Sequence, residues 1–156
     1  ITRFTNYRRS RIENCSKLRH FYYTFKNSLT VEKYLLDTKD PKLRQTLAKF
    51  LLGDHKLAVE TLRLIRPNIA YQDRKCKLYL AEVENEVHFL VKCTDNRYSQ
   101  VRHTFFSDVS QRVPKFQNLT EHDKVVFLMS QENPFVTESL SFFIEEIKVF
   151  VARKQN

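Results

Sequence analysis

The sequence predicts an all-α fold: a compact helical domain of five or six helices with a small irregular Cys/His insert near its middle. Three observations carry that expectation. The 156 residues include a single glycine and four prolines, too few for the hairpins and bulges of a sheet-and-turn protein. Apolar residues make up 42% and aromatics 13%, enough at this length for one hydrophobic core and too much for a disordered chain. In several stretches the apolar positions recur at steps of three and four, which gathers them on one helix face.

In chain order, residues 1–16 read as a basic arm and residues 17–156 as one helical domain. Leu18, Phe21, Phe25 and Leu29 share a face of a first helix, with Arg19 and Lys26 off it. Residues 30–36 suit a short second helix. Asp40 before Pro41 is a cap and first-position pair opening a third, whose buried stripe is Leu43, Leu47, Phe50 and Leu51 and whose end is Gly53. Periodicity weakens over residues 54–75, and Pro67 blocks a continuous helix, so an extended or irregular connection is expected there. A turn or small hairpin follows over Cys76 to Glu82, then a helix from about Glu84 to Lys92. Tyr98, Val101, Phe105 and Val109 line the next helix, which must stop before Pro114. Thr120 with Asp123 is capping-box-like and opens a short helix through Met129. Asn133 before Pro134 caps the last helix, where Val136, Leu140, Phe143, Ile147 and Phe150 form the stripe and Phe142, Ile144 and Val151 widen it.

Charge is uneven. The net charge is +9. Residues 1–26 hold Arg3, Arg8, Arg9, Arg11, Lys17, Arg19 and Lys26 against Glu13 alone, a surplus of +6 that leaves +3 for all the rest. Arg3, Arg8, Arg9, Arg11, Lys17 and Arg19 suit phosphate neutralisation, with Tyr7, Tyr22 and Tyr23 available to stack on unpaired bases, so RNA or DNA is the expected partner. A solvated helix face or acidic lipid headgroups would use the same charges, although the arm lacks a clean apolar face before Leu18. No apolar run is long enough to cross a bilayer. An odd number of cysteines, three in all, points to a reducing, intracellular compartment, nuclear or cytoplasmic, rather than to a disulfide scaffold. The start at Ile1 suggests a fragment or processed product. The triplets at Asn14 and Asn118 fit a glycosylation pattern but carry little weight.

Cys76, His88 and Cys93 are donors that zinc prefers, and they fall within twenty residues. Where a C-x-x-C knuckle would place its second thiolate stands Tyr79, a phenol normally protonated at neutral pH and a poor zinc ligand. The motif reads as an incomplete structural zinc knuckle, its shell closed by water or by a carboxylate such as Glu82 or Glu86. A metal-free core explains the same residues, since free cysteine is readily buried and His88 lies between Val87 and Phe89. A Cys76 or Cys93 nucleophile with His88 as base is also conceivable. However, there is no glycine-rich oxyanion or phosphate loop, and Glu84 and Glu86 would lie on different faces of a helix. No catalysis and no small-molecule substrate is therefore expected.

Arg74, Cys76, Glu84, Glu86, His88, Phe89, Leu90, Cys93, Tyr98 and Arg102 together resemble a cysteine-histidine motif of non-LTR retrotransposon proteins. That motif lies after the polymerase domain in animal reverse transcriptases and reverse-transcriptase-like open reading frames. Leu47, Ala48, Lys49 and Phe50, then His55, Lys56, Leu57, Glu60 and Arg63, are similar to the leucine-rich helix upstream of it in that family. Leu119, Thr120, Lys124, Phe127, Leu128 and Met129 are similar to the terminal segment. The likeness spans roughly residues 17 to 154, and Tyr79 is its main departure. It implies a non-catalytic domain that helps hold template RNA or target DNA while polymerase and endonuclease parts, whose motifs are absent here, do the chemistry. The rival expectation is a domesticated or decayed copy kept as a protein-interaction or structural module, its partner met by the C-terminal helix around Phe142, Phe143 and Phe150.

Overall fold

The computed structural model describes residues 32–152, with side chains through residue 147. The basic arm, the helix expected over Leu18 to Leu29, and the arm residues Arg3, Arg8, Arg9, Arg11, Lys17, Arg19, Tyr22 and Tyr23 lie outside the described residues. Within them the chain is helical, as its composition predicts. The α-helices are α1 (Lys33–Asp37), α2 (Pro41–Leu51), α3 (Ala58–Ile65), α4 (Asn96–Arg112), α5 (Glu121–Ser130) and α6 (Pro134–Ala152), with 3-10 turns at Tyr71–Asp73 and Pro114–Asn118 and a π-helical turn at His88–Lys92. Among the described residues β-structure is confined to an isolated antiparallel bridge between Lys75 and Val83.

The helix ends follow from local chemistry. Asp40 Oδ1 accepts the Lys42 N–H at 2.7 Å to open α2 behind Pro41, and Gly53, at φ 67°, takes the left-handed turn just past its end. Thr120 Oγ1 accepts the Asp123 N–H at 3.1 Å and donates to the Asp123 carboxylate at 2.7 Å, which fixes the start of α5. Asn133 Oδ1 accepts the N–H groups of Phe135 and Val136 at the start of α6. A lost cap of this kind costs about 1 kcal/mol.

Helix α6 is the centre of the packing, lying against α2 and α4 and also meeting α1. Val136, Leu140, Phe143, Ile144 and Ile147 of α6 are buried, as are Leu43, Leu47, Phe50 and Leu51 of α2. Glu145 ties the two helices, accepting from Thr46 Oγ1 at 2.7 Å and pairing with Lys42 at 3.1 Å. Aromatic rings run through this core. Phe89 meets Phe50 and Phe143, each at 5.6 Å between centroids, and Phe143 stacks on Phe105 at 4.8 Å. Because Phe89 follows His88 directly, the π-helical turn is seated in the main core, and Phe89→Ala would cost about 3–5 kcal/mol.

Two expectations are corrected. Residues 54–75 are not one irregular connection, because α3 forms before Pro67 and ends at Ile65. Its first turn is held by a partner distant in sequence, the Glu84 carboxylate, which accepts the Ala58 N–H at 2.7 Å. Phe142 does not widen the buried stripe of α6. It is 53% exposed, whereas Ile144 is buried.

Candidate metal centre

The centre begins as a backbone clamp. Cys76 N–H donates to the Glu82 carbonyl at 2.9 Å and Glu84 N–H to the Arg74 carbonyl at 3.0 Å, closing the small hairpin expected over residues 76–82. The Arg74 guanidinium pins this hairpin to the helical body, donating to the Val59 carbonyl at 2.9 Å and to the Ile69 carbonyl at 3.2 Å. The expected helix over 84–92 forms over residues 86–92, wound wide from His88 to Lys92. Asn85 Oδ1 accepts the His88 N–H at 2.8 Å, and Cys93 N–H reaches back five residues to the His88 carbonyl at 2.8 Å. This π-type winding, a form frequent at functional sites, sets His88 and Cys93 at its two ends.

The three predicted donors meet. One ligand atom from each of Cys76, His88 and Cys93 lies within 4.8 Å of the others, a group that could hold a metal ion. The sulfurs are 4.0 Å apart. All three side chains are buried, at 0%, 2% and 1% exposure in that order, so water contributes little to them and any charge there must be met by neighbours.

The neighbours suit thiolates. Backbone N–H groups of Leu78 and Tyr79 donate to Cys76 Sγ, and that of Asp95 donates to Cys93 Sγ. The sulfur–sulfur hydrogen bond dominates the titration of both thiols: it draws Cys93 down to about 7 and pushes Cys76 up to about 11. The pair thus shares one proton, and a cation is what allows both sulfurs to ionise together. Arg102, buried in α4, donates to the Cys93 carbonyl and adds positive charge beside that sulfur.

His88 is oriented as a ligand would be. Its Nδ1 meets the Glu82 carboxylate at 3.1 Å. Its Nε2 is buried and directed at the Cys76 thiol. A carboxylate on one ring nitrogen that leaves the other for a cation is the usual outer arrangement at metal-binding histidines. Burial pushes the imidazole down, but hydrogen bonding to Cys76 and Glu82 more than offsets this, and the net shift is upward.

The carboxylates expected to complete a shell have other duties. Glu86 is buried and paired with His55 Nε2 at 2.9 Å. Glu82 serves His88. Glu84, which sequence reasoning placed on a helix, precedes the turn. One of its oxygens accepts the Ala58 N–H, and the carboxyl also borders Cys76. Desolvation pushes it up to about 7. Tyr79 stands outside the donor group, its ring nearly parallel to the His88 imidazole, at 18° with centroids 6.5 Å apart. The partners His55, Glu84 and Asn85 escaped the sequence as site residues. The resemblance includes His55 and Glu84, and Glu84 is otherwise weighed only as a catalytic carboxylate; nothing local marks their contacts, which span 31 and 26 positions.

No family model, no curated protein and no solved structure matches the chain.

Proposed function

We propose that the chain is a non-catalytic, nucleic-acid-binding module whose Cys/His loop is stapled by a structural zinc ion. In this reading it serves as the post-polymerase region of a non-LTR retrotransposon reverse-transcriptase-like protein and helps hold template RNA or target DNA. One observation carries the proposal: two sulfurs and a histidine ring nitrogen, on three buried residues, converge within 4.8 Å. Two sulfurs and a nitrogen favour zinc over calcium or magnesium, which take oxygen. Cys76, His88 and Cys93 would hold the ion, which supplies folding energy by joining the hairpin to the π-helical turn. Amide donors on both sulfurs and Glu82 on His88 support the fit.

The nucleic-acid half draws on the +9 net charge, concentrated before residue 27, and on the resemblance. Among the described residues no helix is long and apolar enough to cross a membrane. Phe142, exposed on α6, favours the second reading, a protein-interaction module that binds no nucleic acid. Fluorescence anisotropy of the whole chain against labelled single-stranded RNA and duplex DNA, across a salt series, separates the two. The proposal expects affinity to fall steeply with salt and to fall again when Arg8, Arg9 and Arg11 are replaced by alanine. No binding at low salt removes the nucleic-acid half and leaves the interaction module.

A further inference from the structure

The hairpin that carries Cys76 ends in apolar side chains held out in water. Tyr79 is 44% exposed and Leu80 73%. Their position is not slack. The N–H groups of Leu78 and Tyr79 are tied to Cys76 Sγ, and the Cys76 N–H is tied to Glu82 across the hairpin. A metal staple needs buried donors but gives no reason to display an aromatic and a leucine beside it, where their exposure costs solvation free energy. One face of the Tyr79 ring backs towards the His88 imidazole, which leaves the other face outward.

Charge around the ring selects the occupant. Lys77 is exposed and Lys75 half-buried, with its ammonium on the Ala81 carbonyl at 3.3 Å. Neither lysine belongs to an ion pair among the described residues. The adjacent carboxylate of Glu82 is turned to His88. Two apolar side chains are far too small for a stable protein interface, which needs about 800 Å² from each partner. One ring face with two cations on the same hairpin is enough for an unpaired base and its phosphates.

We propose that Tyr79 and Leu80 form a stacking platform for an unpaired base of single-stranded nucleic acid, with Lys77 and Lys75 set against the flanking phosphates. The proposal deepens the nucleic-acid reading and rests on it. It also gives Tyr79 a role at the position where a knuckle would carry cysteine: the ring that forfeits a ligand gains a contact surface.

The test uses the whole chain, with metal content measured on every variant. The probes are eight-nucleotide oligouridine, oligothymidine of equal length, and an abasic strand. Tyr79→Ala should weaken oligouridine binding about tenfold with an unchanged salt slope, because stacking is not ionic, and Tyr79→Phe should retain affinity. The abasic strand should bind Tyr79→Ala and the parent chain equally. Lys77→Ala should instead lower the salt slope by about one. Oligothymidine, which lacks the sugar 2′-hydroxyl and carries a base 5-methyl, should show the same loss with Tyr79→Ala, because stacking requires neither difference. If Tyr79→Ala loses metal, Leu80→Ser becomes the deciding variant and should weaken oligouridine severalfold. The proposal is overturned if metal-replete Tyr79→Ala or Leu80→Ser binds like the parent while the Arg8, Arg9 and Arg11 variant loses affinity. That pattern spares the broader reading. Absence of binding by the parent chain at low salt removes both.

Discussion

Two histidines with buried side chains begin from the same local arrangement and end in different chemistry. His55 sets Nε2 on Glu86 at 2.9 Å, and His88 sets Nδ1 on Glu82 at 3.1 Å. Each buries its second ring nitrogen. Their surroundings separate them. His55 lies against the Phe50 ring, 5.5 Å between centroids, and joins no donor group among the described residues. His88 turns its second nitrogen towards the Cys76 thiol, in a donor group that also holds Cys93. A carboxylate on one nitrogen therefore does not mark a metal ligand; what the other nitrogen faces does.

Removing the proposed metal should break the comparison most strongly. With zinc at about a thousand times its dissociation constant, binding adds about 4 kcal/mol to stability, which for a chain of this size is a Tm difference of about 8–16 °C. Differential scanning calorimetry with and without chelator should show that loss for the parent chain and none for His88→Ala, which starts from the lower value. His55→Ala is the matched control. It leaves Glu86 buried without its partner, at a cost of about 3 kcal/mol, yet should keep its zinc and remain sensitive to chelator. Equal metal loss from both histidine variants would erase the distinction.

A finer test is Glu82→Gln, which keeps the shape but weakens the hold on Nδ1. Zinc affinity by competition with a chromophoric chelator should fall about 10–100-fold, while the corresponding Glu86→Gln change should leave it near the parent value.

Smaller still is the pH dependence. Binding must displace the proton that the two thiols share, and below about 7 it must also displace the one that Cys93 takes up. The affinity should therefore rise about one log unit per pH unit above neutrality and more steeply below it, as the upward-shifted His88 also protonates. Glu84 works in the opposite direction in the metal-free fold. Its carboxyl is raised to about 7, so the stability it contributes is full below its unfolded value and is lost as pH rises through 7. Glu84→Gln should flatten that part of the metal-free stability profile.

Much of the fold was legible because its signals are local. Asp40 with Pro41, Thr120 with Asp123, Asn133 with Pro134, and Gly53 each act within three residues of the helix end they define. Helix α3 was not legible, because the acceptor that opens it, Glu84, is 26 positions away. Phe142 misled for a related reason: spacing shows that a residue lies near a stripe, and only the neighbouring helices decide how wide the stripe is. In the site, residue type was enough to single out Cys76, His88 and Cys93. Spacing could not show that the turn at His88–Lys92 winds wide, that Glu86 is committed to His55, or that Glu82 rather than Glu84 orients the imidazole.

The most direct test of the central claim is native mass spectrometry of the freshly purified chain beside Cys76→Ser, with both samples also equilibrated with zinc at micromolar concentration. The account predicts a single zinc ion on each parent chain, retained through buffer exchange and absent from Cys76→Ser. A parent chain that stays metal-free in the presence of zinc, with a Tm that chelator does not move, would contradict it and return the three residues to the hydrophobic core.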